Sequence, residues 1–117
     1  MVTLYGIPNC DTVKKARAWL TDHGIAHHFH DFKKAGVPAD RLEAWLQAVG
    51  AETLVNRRGT TWRQLPPADQ AAASLPDGAR ALMLRQPSVI KRPVVDWGGA
   101  ITVGFDPAQW STSVSAR

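Results

Sequence analysis

The chain has 117 residues, enough for one domain with a single hydrophobic core. Hydrophobic residues make up 44% of it and charged residues 21%, and no apolar run approaches the roughly 18 residues needed to cross a bilayer, so we expect no membrane insertion. The basic residues behind the net charge of +4 are spread along the chain without a dense run or a nucleic-acid-binding motif, which predicts no nucleic-acid partner.

Cys10 is the only cysteine, so the chain cannot form an internal disulfide. The first twelve residues, MVTLYGIPNCDT, lack the basic stretch and following apolar stretch of a secretory signal. Both observations favour a reducing compartment, and we therefore expect a cytoplasmic protein.

The beginning of the chain predicts a strand, a helix and a second strand. Residues 1–6 (MVTLYG) alternate as a strand does, and a helix is expected from Asp11 because apolar residues recur on one face. These residues are Val13, Ala16 and Leu20. Gly24 is in the usual place for a helix end, and residues 26–32 (AHHFHDF) are typical of a second strand. The helical connection favours a parallel arrangement of the two strands.

The middle of the chain, residues 34–87, is predicted to be mostly helical. Pro38 fits the first turn of a helix that Gly50 ends, because the apolar residues between them follow helical spacing. These residues are Leu42, Trp45, Leu46 and Val49. Short helical pieces and proline-rich turns are expected over 51–76, and a further helix stops before Pro87.

The last part of the chain predicts a hairpin and a helix. VVDWGGAITVGF indicates two strands joined at Gly98 and Gly99, and Asp106 is expected to cap a helix that begins at Pro107. Residues 111–117 are polar and predicted to form a flexible tail. The element order predicts an α/β protein with a thioredoxin-like βαβ…ββα fold, a helical insertion at 34–87 and a single domain over 1–117.

Cys10 falls just before the predicted first helix. The first N–H groups of a helix, here those of Thr12 and Val13, have no partner within it, and together with the helix dipole they favour a thiolate. Lys14 would favour the thiolate further, whereas Asp11 would oppose it. The alternative is that Cys10 is a small hydrophobic side chain packed behind the first strand.

Four histidines lie close together in the sequence, at positions 23, 27, 28 and 30. No cysteine or carboxylate accompanies them at zinc-site spacing, and strand alternation places His27 on the opposite face from His28 and His30. We therefore predict surface or half-buried histidines and no metal site.

Three segments together resemble a known family: LYGIPNCDTVKKARAWL, VNRRGTTWRQL and QPSVIKRPVV. They are similar to the ArsC-like family, which contains arsenate reductases, Spx regulators and YffB-type proteins, and most closely to the YffB branch. The resemblance implies a thioredoxin fold with an inserted helical domain. It also implies that Cys10 is the catalytic cysteine, that Arg92 holds an anionic substrate beside it, and that Pro93 follows a cis peptide bond.

The chain departs from parts of this family. Arsenate reductases carry further arginines where this chain has Asn56 and Gly104, and an arginine fork cannot be replaced by either residue. Arg57 is either a substitute clamp beside Asn56 or a solvated charge. Spx proteins use a second cysteine three positions after the first, where this chain has Val13.

The sequence thus predicts an oxidoreductase, a glutathione-dependent thiol/disulfide reductase that uses one nucleophilic cysteine. No bound cofactor is expected; the partners are glutathione or another small thiol as co-substrate, and a disulfide-containing protein. The expected catalytic residues are Cys10 and Arg92, and the expected substrate-binding residues are Thr12, Val13, Lys14, Arg57 and Pro93. The alternatives are a glutathione-coupled arsenate reductase and a non-catalytic Spx-like regulator that binds RNA polymerase.

Overall fold

A computed structural model of the chain describes residues 2–115, and contacts divide the chain into two compact units. The described part of the first unit comprises residues 2–35 and 92–115, and the second unit is Gly36–Lys91. The helical insertion predicted at 34–87 from the sequence overlaps this second unit, and its role as an insertion within one domain remains a prediction. Within residues 2–115, no helix is both long enough and apolar enough to span a membrane.

The secondary structure begins with a βαβ unit and ends with a ββα unit. In chain order the elements are β1 (Val2–Gly6), α1 (Asp11–Asp22), β2 (His27–Asp31), α2 (Phe32–Ala35), α3 (Ala39–Val49), α4 (Ala51–Leu54), α5 (Thr60–Arg63), α6 (Pro67–Ala72), α7 (Pro76–Arg85), a 3₁₀ turn (Pro87–Val89), β3 (Val94–Asp96), β4 (Ile101–Val103) and α8 (Pro107–Ser115).

The four strands of the first unit form one sheet in the order β2-β1-β3-β4. Strand β1 pairs in parallel with β2, where Leu4 lies opposite Phe29, and antiparallel with β3, where Leu4 lies opposite Val95. Strands β3 and β4 form an antiparallel hairpin, as the two glycines at 98 and 99 predicted. This topology confirms the predicted thioredoxin-like fold.

Helices α1 and α8 contribute to the core of the first unit with β1 and β3. Buried side chains from all four elements form one cluster: Val2, Leu4, Val13, Ala16, Leu20, Val95, Trp97 and Trp110. Trp110 is fully buried and makes edge-on ring contacts with Trp19, Trp97 and Phe105. Such aromatic contacts add to the stabilisation that comes from burial alone, so α8 is a structural part of this core.

The C-terminal segment corrects the prediction of a flexible tail over 111–117. Residues 111–115 continue α8, and Asp106 caps the helix as expected, because its Oδ1 accepts hydrogen bonds from the Ala108 and Gln109 N–H groups at 3.1 and 3.4 Å. Val114 lies one turn after Trp110 and packs against the same core, which explains why the helix continues. Residues 116 and 117 lie outside the described part of the chain.

The second unit is built from helices and one isolated β-bridge. Leu42 and Trp45 of α3 are buried, as their spacing predicted, but Pro38 precedes the helix as its N-cap in an extended conformation rather than lying in its first turn. Gly50 ends α3 with a φ of 84°, which favours glycine. Val55 pairs antiparallel with Ile90, so the segment after α4 and the segment before Arg92 are held together.

Candidate active site

Cys10 is the N-cap residue of α1. Strand β1 ends at Gly6, and a turn follows in which the Cys10 N–H donates to the Ile7 carbonyl oxygen at 3.3 Å. The Cys10 carbonyl oxygen accepts the first helical hydrogen bond, from the Lys14 N–H at 3.0 Å. The extended backbone of Cys10, with φ −95° and ψ 125°, is usual for an N-cap residue, and it confirms the placement expected from the sequence.

Gly6 lets the first turn of α1 lie close to the end of β1. A Cβ atom built on Gly6 would lie 2.8 Å from Cγ2 of Val13, so any larger residue would force the buried Val13 side chain to move. Val13 also supplies one of the N–H groups that act on the Cys10 sulfur. The glycine therefore helps to set the position of a donor in the candidate site.

The Cys10 thiol is half-buried and has a lowered pKa. Burial is the largest single effect and raises the pKa, but it is outweighed by hydrogen bonding from the Val13 N–H, by the Arg92 guanidinium and by the Thr12 N–H. Both N–H groups belong to the first turn of α1 and act on the sulfur as donors that favour the thiolate. Cys10 thus packs against the core while its sulfur faces charge-stabilising groups.

Arg92 reaches Cys10 from the segment that leads into the hairpin. Its guanidinium lowers the thiol pKa both by hydrogen bonding and through its charge. The Arg92–Pro93 peptide bond is cis, as the family resemblance implied, and Pro93 is buried. The Pro93 carbonyl oxygen accepts a hydrogen bond from the Gly104 N–H at 2.9 Å. Counting opposite residues outward from the predicted turn at Gly98 and Gly99 places Pro93 opposite Gly104. The sequence therefore contained this contact, although it was not predicted.

Lys14 and Asp11 are both exposed on the first turn of α1. The groups that shift the Cys10 pKa are the Val13 and Thr12 N–H groups and Arg92, and neither Lys14 nor Asp11 is among them. A role for Lys14 in substrate binding remains a prediction.

Arg57 belongs to the second unit and is exposed there. Its guanidinium lies 5.5 Å from the centre of the Trp62 ring, a distance suited to a cation–π contact. An open cavity of about 570 Å³ lies beside it, lined by Glu52, Thr53, Val55, Asn56, Arg57, Arg58 and Lys91. The Asn56 side chain accepts a hydrogen bond from the Arg58 N–H at 3.2 Å. That Arg57 binds the anionic substrate in place of the arginine that arsenate reductases have at position 56 remains a prediction.

His23, His27 and His30 make local contacts. His23 stacks on Trp19 with ring centres 3.8 Å apart and donates from Nδ1 to the Trp19 carbonyl oxygen, and His27 donates from Nδ1 to the Ile25 carbonyl oxygen. His30 contacts the rings of Tyr5 and Phe32. Across residues 2–115, no group of three or more His, Cys, Asp or Glu side chains is placed to hold a metal ion.

Comparison with known proteins gives matches over nearly the whole chain. An uncharacterized protein of Haemophilus influenzae is 39% identical over 115 residues, which cover 97% of this chain and 98% of the relative. The solved structure of the YffB protein is 46% identical, with a TM-score of 0.91 and coverage of 97% and 98%. An arsenate reductase (ArsC) related protein from Brucella melitensis is 52% identical, with a TM-score of 0.74 and coverage of 95% and 92%.

More distant similarity extends to a transcriptional regulator. The global transcriptional regulator Spx of Streptococcus pyogenes serotype M6 is 29% identical over 108 residues, which cover 91% of this chain and 79% of the regulator. The model of the ArsC family matches residues 5–113, a range that contains Cys10, Arg92 and Pro93. The predicted family is therefore confirmed, and the chain belongs to the ArsC family.

Proposed function

We propose that this protein is a glutathione-dependent thiol/disulfide reductase in which Cys10 is the nucleophile. The observation that carries the proposal is the lowered pKa of the Cys10 thiol, which lies among two backbone N–H donors and the Arg92 guanidinium. A thiolate attacks disulfides whereas a thiol does not, so a lowered pKa increases the reactive fraction near neutral pH. Membership of the ArsC family supports the same assignment.

In the first step, the Cys10 thiolate attacks the glutathione sulfur of a mixed disulfide between glutathione and a substrate thiol. A disulfide forms between Cys10 and glutathione while the original disulfide breaks, and the substrate leaves as a thiolate that takes a proton from water. In this proposal Arg92 orients a carboxylate of the bound glutathione, since a guanidinium binds carboxylates through paired hydrogen bonds.

In the second step, the thiolate of a free glutathione attacks the glutathione sulfur bound to Cys10. Glutathione disulfide forms and the Cys10 thiolate leaves, so the net reaction converts one mixed disulfide and one glutathione into one free substrate thiol and one glutathione disulfide. A thiolate of low pKa is also a good leaving group, so the same groups assist both steps. The chain has one cysteine, so the second thiol comes from another molecule, and glutathione is the thiol that this proposal assigns to the step.

The test is turnover of a glutathionylated peptide with reduced glutathione, measured by coupling glutathione disulfide production to glutathione reductase and NADPH. We expect turnover with the wild-type protein and none above background with Cys10→Ser. Equal rates for the two proteins would refute the proposal.

Arsenate reduction is the second candidate, because the relative from Brucella melitensis is described as arsenate reductase related. Asn56 and Gly104 argue against it, because neither residue can supply the planar guanidinium donors that arsenate reductases have at these two positions. Replacing the peptide by arsenate in the same assay separates the two activities. A regulator like Spx would show neither activity and would instead be recovered with RNA polymerase in a pull-down.

A further inference from the structure

The hairpin that carries Arg92 into the site extends one residue pair beyond its strands. In its register Val94 lies opposite Val103 and Asp96 opposite Ile101, so Pro93 lies opposite Gly104 at the open end. The Gly104 N–H donates to the Pro93 carbonyl oxygen at 2.9 Å, and the Trp97 N–H donates to the Ala100 carbonyl oxygen at the same distance at the turn end. The pairing thus continues to the residue that directly follows Arg92.

This last pair depends on a single backbone hydrogen bond. In an antiparallel ladder, pairs of opposite residues that exchange two N–H···O bonds alternate with pairs that exchange none. Trp97 and Ala100 are a hydrogen-bonded pair, and Pro93 and Gly104 lie four pairs further along the hairpin, so they occupy a hydrogen-bonded position as well. Proline has no N–H, so only the bond donated by Gly104 can form. The Gly104 N–H is therefore the donor that ties the Pro93 backbone to β4.

Gly104 also has a conformation that favours glycine. Its φ is 86°, in the left-handed region that a side chain disfavours, and the residue is buried. The chain turns at this point from β4 toward α8. A residue with a Cβ atom would relax toward negative φ and rotate the N–H away from the Pro93 carbonyl oxygen.

We propose that Gly104 is a positioning residue, whose N–H fixes the Pro93 backbone and thereby holds the Arg92 guanidinium beside the Cys10 sulfur. This inference rests on the proposed role of Cys10 as the nucleophile. In this proposal the effect of Gly104 on the sulfur passes through Pro93 and Arg92.

The first test compares Gly104→Ala with Gly98→Ala. Gly98 lies at the turn end of the same hairpin, where it is exposed, has a φ of 95° and has open space around its Cβ position. Its replacement by alanine therefore introduces similar backbone strain but leaves the hydrogen bond to Pro93 intact. The thiol pKa is read from the ultraviolet absorbance of the thiolate and from the pH dependence of iodoacetamide alkylation. We expect Gly104→Ala to raise the thiol pKa and to slow alkylation several-fold below pH ~8.5, while Gly98→Ala leaves both unchanged.

The second test asks whether the effect passes through Arg92. In an Arg92→Gln background the guanidinium is absent, so Gly104→Ala should cause no further change in the thiol pKa. An equal change in both backgrounds, an equal change from both glycine variants, or no change from Gly104→Ala would each overturn the inference.

A backbone substitution decides the question if Gly104→Ala fails to fold. Glycolic acid in place of Gly104, introduced by semisynthesis, removes the N–H but adds no side chain, and glycolic acid at Gly98 is its control. The thiol pKa should rise only with the ester at 104. An ordinary thiol pKa in the wild-type protein would refute the proposed nucleophile itself, whereas a lowered pKa that the ester at 104 leaves unchanged would refute only the role of Gly104.

Discussion

At Cys10, burial and hydrogen bonding act on the thiol in opposite directions. Burial favours the neutral thiol, and the Val13 N–H, the Arg92 guanidinium and the Thr12 N–H favour the thiolate strongly enough to lower the pKa. Because the two N–H groups belong to the backbone of α1, a side-chain substitution leaves them in place. Of the three groups that lower the thiol pKa, Arg92 is therefore the one whose effect a side-chain substitution removes.

Replacing Arg92 should raise the Cys10 thiol pKa. In Arg92→Gln both the positive charge and the guanidinium donors are lost, and we expect alkylation below pH ~8.5 to slow several-fold because a smaller fraction of the thiol is ionised. Arg92→Lys keeps a charge but loses the planar donors, so it should fall between Arg92→Gln and the wild type. Rates of iodoacetamide alkylation across pH measure the effect. A thiol pKa unchanged in both variants would contradict the assigned role of Arg92.

The lowered thiol pKa also predicts how stability depends on pH. The folded state holds the thiolate more strongly than the unfolded chain, whose thiol titrates near ~8.5. The contribution of Cys10 to the free energy of unfolding is thus fully present above ~8.5 and is lost as the pH falls through the lower folded-state pKa. Urea denaturation of the wild type and of Cys10→Ser, both under reducing conditions, measures it. The difference between them should shrink as the pH is lowered, and a constant difference would contradict the lowered pKa.

The site residues differ in how far sequence alone could predict them. Cys10 and the donors of Thr12 and Val13 were predictable because an N-cap and the first N–H groups of a helix are neighbours in the chain. Arg92 is distant in sequence and entered only through the resemblance of three motifs. The contact of Gly104 with Pro93 could have been derived from the hairpin register but was not predicted, and its connection to the sulfur requires the three-dimensional position of Arg92.

At the scale of elements, α6 and α7 approach closely at Gly78. A Cβ atom built on Gly78 would lie 1.9 Å from the Ala72 carbonyl oxygen, a distance that backbone atoms cannot tolerate without moving. The contact also explains why a glycine is present in the first turn of α7, where the helix itself would favour alanine.

Gly78→Ala should therefore destabilise the protein, although glycine-to-alanine changes in helices ordinarily stabilise. We expect a loss of about 1–3 kcal/mol in the free energy of unfolding, as for other overpacked sites. Ala81→Gly, at an exposed position of the same helix, is the control and should cost about 1 kcal/mol through helix propensity alone. Urea denaturation measures both. A stabilising Gly78→Ala would show that α6 and α7 separate easily.

Long periodic elements were predictable from the sequence, and short ones were not. Helix α1 buries the three residues that its spacing indicated, and the hairpin turns at Gly98 and Gly99. Helices α4 and α5 each have four residues, too few for a periodic pattern to define their ends. The bridge between Val55 and Ile90 is a long-range contact, and residues 111–115 stay helical because Val114 packs on a core assembled from distant strands.

For the whole molecule, one cysteine determines which redox reactions the chain can complete by itself. A protein with two nearby cysteines resolves a mixed disulfide internally, but this chain has no second thiol, so an adduct at Cys10 persists until an external thiol arrives. If Cys10 is the proposed nucleophile, we therefore expect the intact protein to form a stable but reversible adduct with glutathione.

Incubation with glutathione disulfide should accordingly add one glutathione to each chain, and excess reduced glutathione should remove it. Intact-mass spectrometry measures the adduct, and peptide mapping should locate it at Cys10. Cys10→Ser is the control for adventitious binding and should stay unmodified. Arg92→Gln, which retains the cysteine, should form the same adduct more slowly below pH ~8.5, because fewer of its Cys10 side chains are ionised. An adduct that forms equally fast with and without Arg92 would mean that access to the sulfur, rather than its ionisation, limits the reaction.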